Sequence, residues 1–297
     1  MSEWHGVIDI GTNSVLLLLA RRRPDGTLEV ARDQSTITRL GQGAGESGML
    51  APEAIARTLA CLKGYREVAE AAGATLTAVT TEGVRMARNQ AAFLEPASEV
   101  LGQPVRLLSG EEEAELSYLS VARETPEGGP LRVLDIGGGS TELVVGDGLQ
   151  LLSARSYPVG SVRLTERLLR TDPPSPEMLA AAHGEALTAF RGGPPVAPHP
   201  VLHGLAGTVT TVAALLLELP VYDRSRVDGA RFTRAQVLAL RDALAAETLD
   251  QRCTRPCLER GRADVIVAGV TILLAALEHC GAEILVVRDR GLRYALV

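Results

Sequence analysis

Hydrophobic positions along the chain fall into two kinds of pattern. Short continuous apolar runs are bounded by glycine, aspartate and proline, and longer stretches repeat apolar residues every three or four positions. The first pattern predicts strands at 6–10, 15–19 and 28–32, joined by the hydroxyl-rich turn Gly11-Thr12-Asn13-Ser14 and the turn Pro24-Asp25-Gly26. Strands at 132–136, 142–145 and 149–155 repeat the plan, with turns at Gly137-Gly138-Gly139-Ser140-Thr141 and Gly146-Asp147-Gly148. Asp9 and Asp135 close the first strand of each set, 126 residues apart. Two β-meanders of one design predict a duplicated two-domain α/β protein.

The second pattern predicts helices at 52–72, 89–101 and from Glu111 in the first half, with strands at 75–81 and 105–108 between them. In the second half, helices are expected at 162–169, 176–190, 208–217, 233–247 and 263–280, and strands at 201–205 and 283–287. The Pro/Gly-rich stretches 124–130 and 192–200 read as loops, the first as the domain crossover. The expected domains are therefore 1–123, completed by a C-terminal helix at about 288–297, and 124–287.

Composition narrows the chemistry. The 297 residues are 46% hydrophobic but only 3% aromatic, so the cores must be built from Leu, Val, Ile and Ala. A net charge of −6 argues against a nucleic-acid or acidic-membrane binder. Of the 30 basic residues only Lys63 is a lysine, and it lies in the amphipathic stretch 59–68. A Walker A loop, a kinase-type strand lysine and a Schiff-base lysine are thereby set aside. No apolar run reaches the ~18 residues of a membrane span, and no basic region precedes the first strand, so a cytoplasmic protein is expected. Cys61, Cys253, Cys257 and Cys280 form neither a disulfide framework nor a zinc site. His183, His199, His203 and His279 show no ligand spacing.

A glycine-rich turn can aim backbone amides at an anion, and small hydroxyl residues add donors. A carboxylate beside a phosphate is repulsive unless a divalent cation lies between them, and Mg²⁺ takes one or two carboxylates with phosphate oxygens and water. Asp9, Asp135 and Glu142 suit that role. A tight hairpin would account for Gly137–Gly139 alone, but not for two copies with matched aspartates. The loop lacks the helix that a dinucleotide-binding fingerprint requires. The literal G-x-G-x-x-G at Gly43, Gly45 and Gly48 reads as a surface loop.

Both loops resemble those of the exopolyphosphatase/guanosine pentaphosphate phosphohydrolase (Ppx/GppA) family, within the actin-like ATPase superfamily. The resemblance continues through Arg39–Gly43, Ser109-Gly110-Glu111-Glu112-Glu113-Ala114, Gly160–Glu166, Ala206-Gly207-Thr208-Val209-Thr210-Thr211 and Arg262–Ile266. It implies two ribonuclease-H-like domains facing each other across a cleft, and Mg²⁺-assisted removal of a terminal phosphate from inorganic polyphosphate or pppGpp. It makes Glu113 the residue that activates water, Arg85 a phosphate ligand within Thr81–Asn89, and Thr12, Asn13, Ser14, Gly138, Gly139, Ser140 and Thr141 the phosphate loops. Gly207 and Thr208 would line the second domain's side. The family's longer members carry further C-terminal domains, so a short polyphosphate or a small nucleotide is the expected substrate of this chain. A homodimer is implied as well. The rival readings are a pppGpp 5′-phosphohydrolase and a polyphosphate- or nucleotide-binding sensor without turnover. Glu82 departs from the family pattern by adding a negative charge, and Arg288 and Tyr294 depart from it near the C-terminus. Local chemistry offers a plainer account of the acidic run: Ser109 and Glu112 form a capping box, and glutamates suit a helix's first turn. If Glu112 reaches back to the cap, Glu113 points about 100° around the helix.

Overall fold

The computed structural model describes residues 3–125 and 128–297. The chain divides into two compact units, Met1–Leu116 with Leu292–Val297, and Ser117–Gly291. In the first, β1 (His5–Ile10), β2 (Ser14–Arg22) and β3 (Leu28–Ile37) form an antiparallel meander, and β4 (Thr75–Thr80) and β5 (Arg106–Leu107) add in parallel, giving the order β3-β2-β1-β4-β5. Helices α1 (Pro52–Ala71) and α2 (Ala91–Leu101) supply Leu62, Tyr65, Phe93 and Ala97 to the core beside Ile8, Ile10, Val15 and Leu17 of the sheet. Pro52 starts α1 because a helix's first amide needs no intrahelical acceptor. Helix α3 (Gly110–Ala122) follows β5.

The second unit repeats the plan with β6 (Pro130–Ile136), β7 (Thr141–Asp147), β8 (Gln150–Tyr157), β9 (Val201–Leu205), β10 (Arg231–Thr233) and β11 (Ile284–Val287). Its order, read from the meander, is β8-β7-β6-β9-β11, with β10 added antiparallel at the far edge. Helices α4 (Ser161–Leu168), α5 (Pro176–Arg191), α6 (Ala206–Leu216), α7 (Arg234–Ala245) and α8 (Ile266–His279) complete it. Helix α8 is buried from Ile266 to Leu277, matching its uninterrupted apolar sequence, and it anchors the larger core.

The 126-residue offset survives at the level of register. Asp9 lies opposite Leu16 on β2 and Val79 on β4, and Asp135 lies opposite Glu142 on β7 and Leu205 on β9. Even the irregularity is copied: a β-bulge interrupts β2–β3 between Leu19 and Ala20, and β7–β8 between Val145 and Gly146.

Several elements differ from the sequence reading. The division between the units lies inside α3, between Leu116 and Ser117, whereas the expected crossover was at 124. Ser117 and Tyr118 pack on the second meander, with the Tyr118 hydroxyl donating to the Gly148 carbonyl. Residues 126 and 127 of the expected crossover lie outside the described residues. The expected C-terminal helix at 288–297 is a five-residue 3-10 turn, Leu292–Leu296. Before it, the Arg288 and Asp289 amides remain bound to the second unit through the Gly204 carbonyl and the Asp228 carboxylate. The turn docks on the first unit, where Arg293 grips Asp33 and the Tyr294 hydroxyl donates to the same carboxylate at 2.6 Å. The single helix expected at 263–280 is a short turn, Arg260–Ala263, followed by α8. Gly43 and Gly48, both left-handed, bracket a one-turn helix, Ala44–Ser47, within the expected loop. His203 lies inside β9 rather than beside it.

Candidate active site

The two hydroxyl-rich turns are folded alike, and neighbouring segments hold both by their carbonyls. Gly11 N donates to Ser14 O and Gly137 N to Ser140 O, each at 3.0 Å. The carbonyls of the second turn then face the start of α4. Ser161 N bonds Gly137 O at 3.0 Å, and Val162 N and Arg163 N bond Gly138 O at 2.9 and 3.1 Å. In the first turn, Gly41 N bonds Thr12 O at 2.9 Å, and Thr38 N and Arg39 N bond Asn13 O. A trans peptide points its N–H opposite to its C=O. With the 137 and 138 carbonyls turned to α4, the amides of Gly138 and Gly139 therefore point away from it, as an anion cradle requires. Gly160 makes this approach possible: a Cβ there would lie 2.5 Å from the backbone of Gly138 and Gly139. The segments at 38–41 and 160–163 were part of the resemblance but carried no assigned role. Their signal was a glycine placed just after the third strand of each meander.

The hydroxyls expected to bind phosphate largely do other work. Thr141 is buried and donates to the Val159 carbonyl at 2.6 Å, closing the turn. Thr12 packs against Gly83, where a Cβ would come 2.6 Å from its Oγ1, and Thr208 packs against Gly269 of α8 in the same way. Ser140 is also buried. The second turn thus has both its hydroxyl residues buried, whereas Asn13 and Ser14 of the first are half-buried.

Asp135 and Glu142 face each other across β6 and β7, and cross-strand partners project to the same side of a sheet. Glu142 is 1% exposed. Ser117 of α3 donates to Asp135 Oδ2 and Ser156 of β8 to Glu142 Oε1, both at 2.6 Å. Two adjacent carboxylates, with oxygen donors only, fit a hard divalent cation such as Mg²⁺. Among the described residues, no three His, Cys, Asp or Glu side chains are placed to hold a metal ion. The expected third carboxylate, Asp9, is buried in the other unit, where Leu16 stands in the position of Glu142.

Helix α3 sorts its acidic residues by position. Ser109 N donates to Glu112 Oε2 at 2.8 Å and Glu112 N to Ser109 Oγ at 3.1 Å, so the capping box forms. The Ser109 amide, then Arg106, hold the exposed Glu112 carboxyl below the usual carboxylate range. Its neighbour Glu113 is 8% exposed and lies 3.8 Å from the Arg85 guanidinium, which also donates to the Leu108 carbonyl at 2.6 Å. The plainer account thus holds for Glu112, while Glu113 is left as a buried carboxylate beside an arginine.

In the second unit, the Gly207 carbonyl accepts from Thr211 Oγ1 at 2.6 Å and Arg262 Nη1 at 3.3 Å, at the first turn of α6. Ala206, just before it, takes φ 67°, a left-handed conformation that is strained for a residue with a Cβ. Glu82 is buried at the turn following β4. Arg21 and Arg23 pair with Glu29, and Arg22 donates to the carbonyls of Gly26 and Val297. Lys63 is exposed on α1 and the four cysteines are free. No helix among the described residues is long and apolar enough to cross a membrane.

Known proteins match this chain along nearly its whole length. Residues 19–297 match the model of the Ppx/GppA phosphatase family. Exopolyphosphatase 2 of Mycobacterium tuberculosis is 36% identical over 279 residues, covering 90% of this chain and 87% of that protein. The crystal structure of the Aquifex aeolicus Ppx/GppA family member is 34% identical, with a TM-score of 0.84 over 100% of this chain and 96% of that one. An exopolyphosphatase from Cytophaga hutchinsonii, 24% identical, shares the fold with a TM-score of 0.88 over 99% and 96% of the two chains. By the extent of these matches, the chain with these duplicated turns, facing carboxylates and buried Glu113 belongs to the Ppx/GppA phosphatase family.

Proposed function

We propose that the protein is an exopolyphosphatase that removes terminal phosphate from inorganic polyphosphate by attack of water. The observation that carries the reading is the sorting of α3: Glu112 is consumed by the cap, while Glu113 is buried against Arg85. The exopolyphosphatase named in M. tuberculosis supports the substrate class. In this reading Glu113 accepts a proton from the attacking water, and Arg85 binds an oxygen of the terminal phosphoryl group through its planar fork. The amides of the 12–14 and 138–139 turns bind phosphate oxygens, and Gly207 and Thr208 keep α6's first turn open to the chain. Asp135 and Glu142 would hold Mg²⁺, and Asp9 is the further carboxylate this reading assigns to it. The bound cation supplies neutralisation of charge developing on the leaving phosphate.

The test is phosphate release, with Mg²⁺, from short polyphosphate, long polyphosphate and pppGpp, run beside Glu113→Gln. Release from polyphosphate that drops by about 10²–10⁴-fold in the variant, with substrate binding retained, is the expected result. Release from pppGpp alone would transfer the assignment to the nucleotide. Binding without release would make the protein a sensor. The same reading includes a cytoplasmic homodimer, for which sedimentation and cell fractionation are the checks.

A further inference from the structure

Hydroxyl side chains inside helices have a default partner, the carbonyl four residues back. This chain follows the default repeatedly: Thr58 donates to Ala54, Ser98 to Leu94, Thr165 to Ser161, Thr211 to Gly207 and Thr271 to Val267, at 2.6–2.8 Å. Ser117 breaks the pattern. Its side chain is 0% exposed, and its proton goes to Asp135 Oδ2 at 2.6 Å, across to another element. A hydroxyl donating to a carboxylate makes a shorter, stronger bond than one donating to a peptide carbonyl.

Ser156 does the equivalent for the other member of the pair. It sits directly opposite Glu142 on β8 and donates to Oε1 at 2.6 Å. Each carboxylate of the pair thus has one oxygen held by a serine, which restricts the carboxyl group's rotation. Two hydroxyl donors also lower the repulsion between facing carboxylates on neighbouring strands. The first meander supplies a contrast: the row Asp9, Leu16, Ser35 matches Asp135, Glu142, Ser156 strand for strand, but offers its serine no second carboxylate.

Resting on the reading of Asp135 and Glu142 as Mg²⁺ ligands, we propose that Ser117 and Ser156 are positioning residues. They orient the two carboxylates toward the cation. Outer partners of metal ligands change metal affinity by about 10–100-fold when removed.

The experiment compares the full-length chain with Ser117→Ala, Ser156→Ala and Asp135→Asn. Mn²⁺ binding is measured without substrate by electron paramagnetic resonance, phosphate release is titrated with Mg²⁺, and each variant's melting temperature is taken in chelator. The expected result is a Mn²⁺ Kd raised about 10–100-fold in both serine variants, with the Mg²⁺ concentration for half-maximal release rising in parallel and release recovering at high Mg²⁺. Asp135→Asn should lose Mn²⁺ binding. If it does while both serine variants bind Mn²⁺ like the parent, the proposal is overturned and the metal reading stands. If Asp135→Asn still binds Mn²⁺ normally, the metal reading fails and the proposal with it. A lower melting temperature with unchanged Mn²⁺ affinity would mark the serines as purely structural and overturn the proposal. Should Ser117→Ala not fold, Ser156→Ala, on an edge strand, decides the question alone.

Discussion

The two meanders share strand order, register and even the site of a bulge, yet the strand row through their aspartates differs at one position. The first reads Asp9, Leu16 and the second Asp135, Glu142. Duplication has kept the backbone device, a turn whose carbonyls are tied back so that its amides face outward. The paired carboxylates belong to one copy alone. A backbone cradle depends on geometry that any copy of the fold reproduces, whereas a metal-ligand set depends on side chains and can be lost or gained by single substitutions.

Five substitutions break or sharpen that contrast. The largest effect is expected from Glu142→Leu, which gives the second copy the row of the first. With one carboxylate removed, Mg²⁺-dependent phosphate release should fall at least ~10²-fold, since a catalytic cation is worth several kcal/mol. Loss of Mn²⁺ binding in the same variant would locate the defect. Next comes Gly160→Ala. Its new methyl meets backbone atoms of Gly138 and Gly139 at 2.5 Å, so the turn must move, and a stability loss of about 1–3 kcal/mol should accompany lost activity. Gly41→Ala in the first copy presses instead on the Thr12 side chain, and chemical denaturation should show a smaller cost.

The third contrast is in acid. His203 of β9 is buried where the first copy has exposed Thr77, and burial, then the nearby Arg288, Arg231 and His199, lowers its pKa to about 4. A histidine kept neutral by folding contributes fully above its unfolded pKa of about 6.5, and the contribution is lost as pH falls from there toward 4. The loss amounts to as much as roughly 3 kcal/mol. Urea unfolding from pH 7 to pH 4.5 should show this slope, and His203→Gln should flatten it. An unchanged slope would assign the acid sensitivity elsewhere. The smallest effect is expected at the α3 cap. Ser109→Ala removes one side of the capping box for about 1 kcal/mol, read as a lower melting temperature.

Much of this architecture was legible in the sequence because strings such as Asp-Ile-Gly declare themselves twice. The capping box was equally readable, since Ser109 and Glu112 interact at fixed spacing within one helical turn. Longer-range partners were not. Nothing in the α3 sequence says that Ser117 reaches Asp135 rather than its own backbone, and nothing local says that Thr141 and Thr208 turn into the fold. The break before α8 was hidden because Ala263, Asp264 and Val265 are neither glycine nor proline, so no residue there marks a helix boundary. Strand β10 was hidden because three residues are too few to show alternation.

The repeated bulge has one more consequence, for how these hairpins tolerate changes of length. From Leu16 to Ser35 the chain advances 19 residues, and from Glu142 to Ser156 it advances 14, five fewer, yet both pairs sit opposite each other. The whole difference lies beyond the bulge, at the hairpin tips. Each bulge skips a single residue, so it is the tip that lengthens or shortens, and no slip reaches the row that carries the aspartates. The five-residue tip 23–27 is therefore a natural splice point for a peptide tag or a reporter domain, far along the strand from the chemistry.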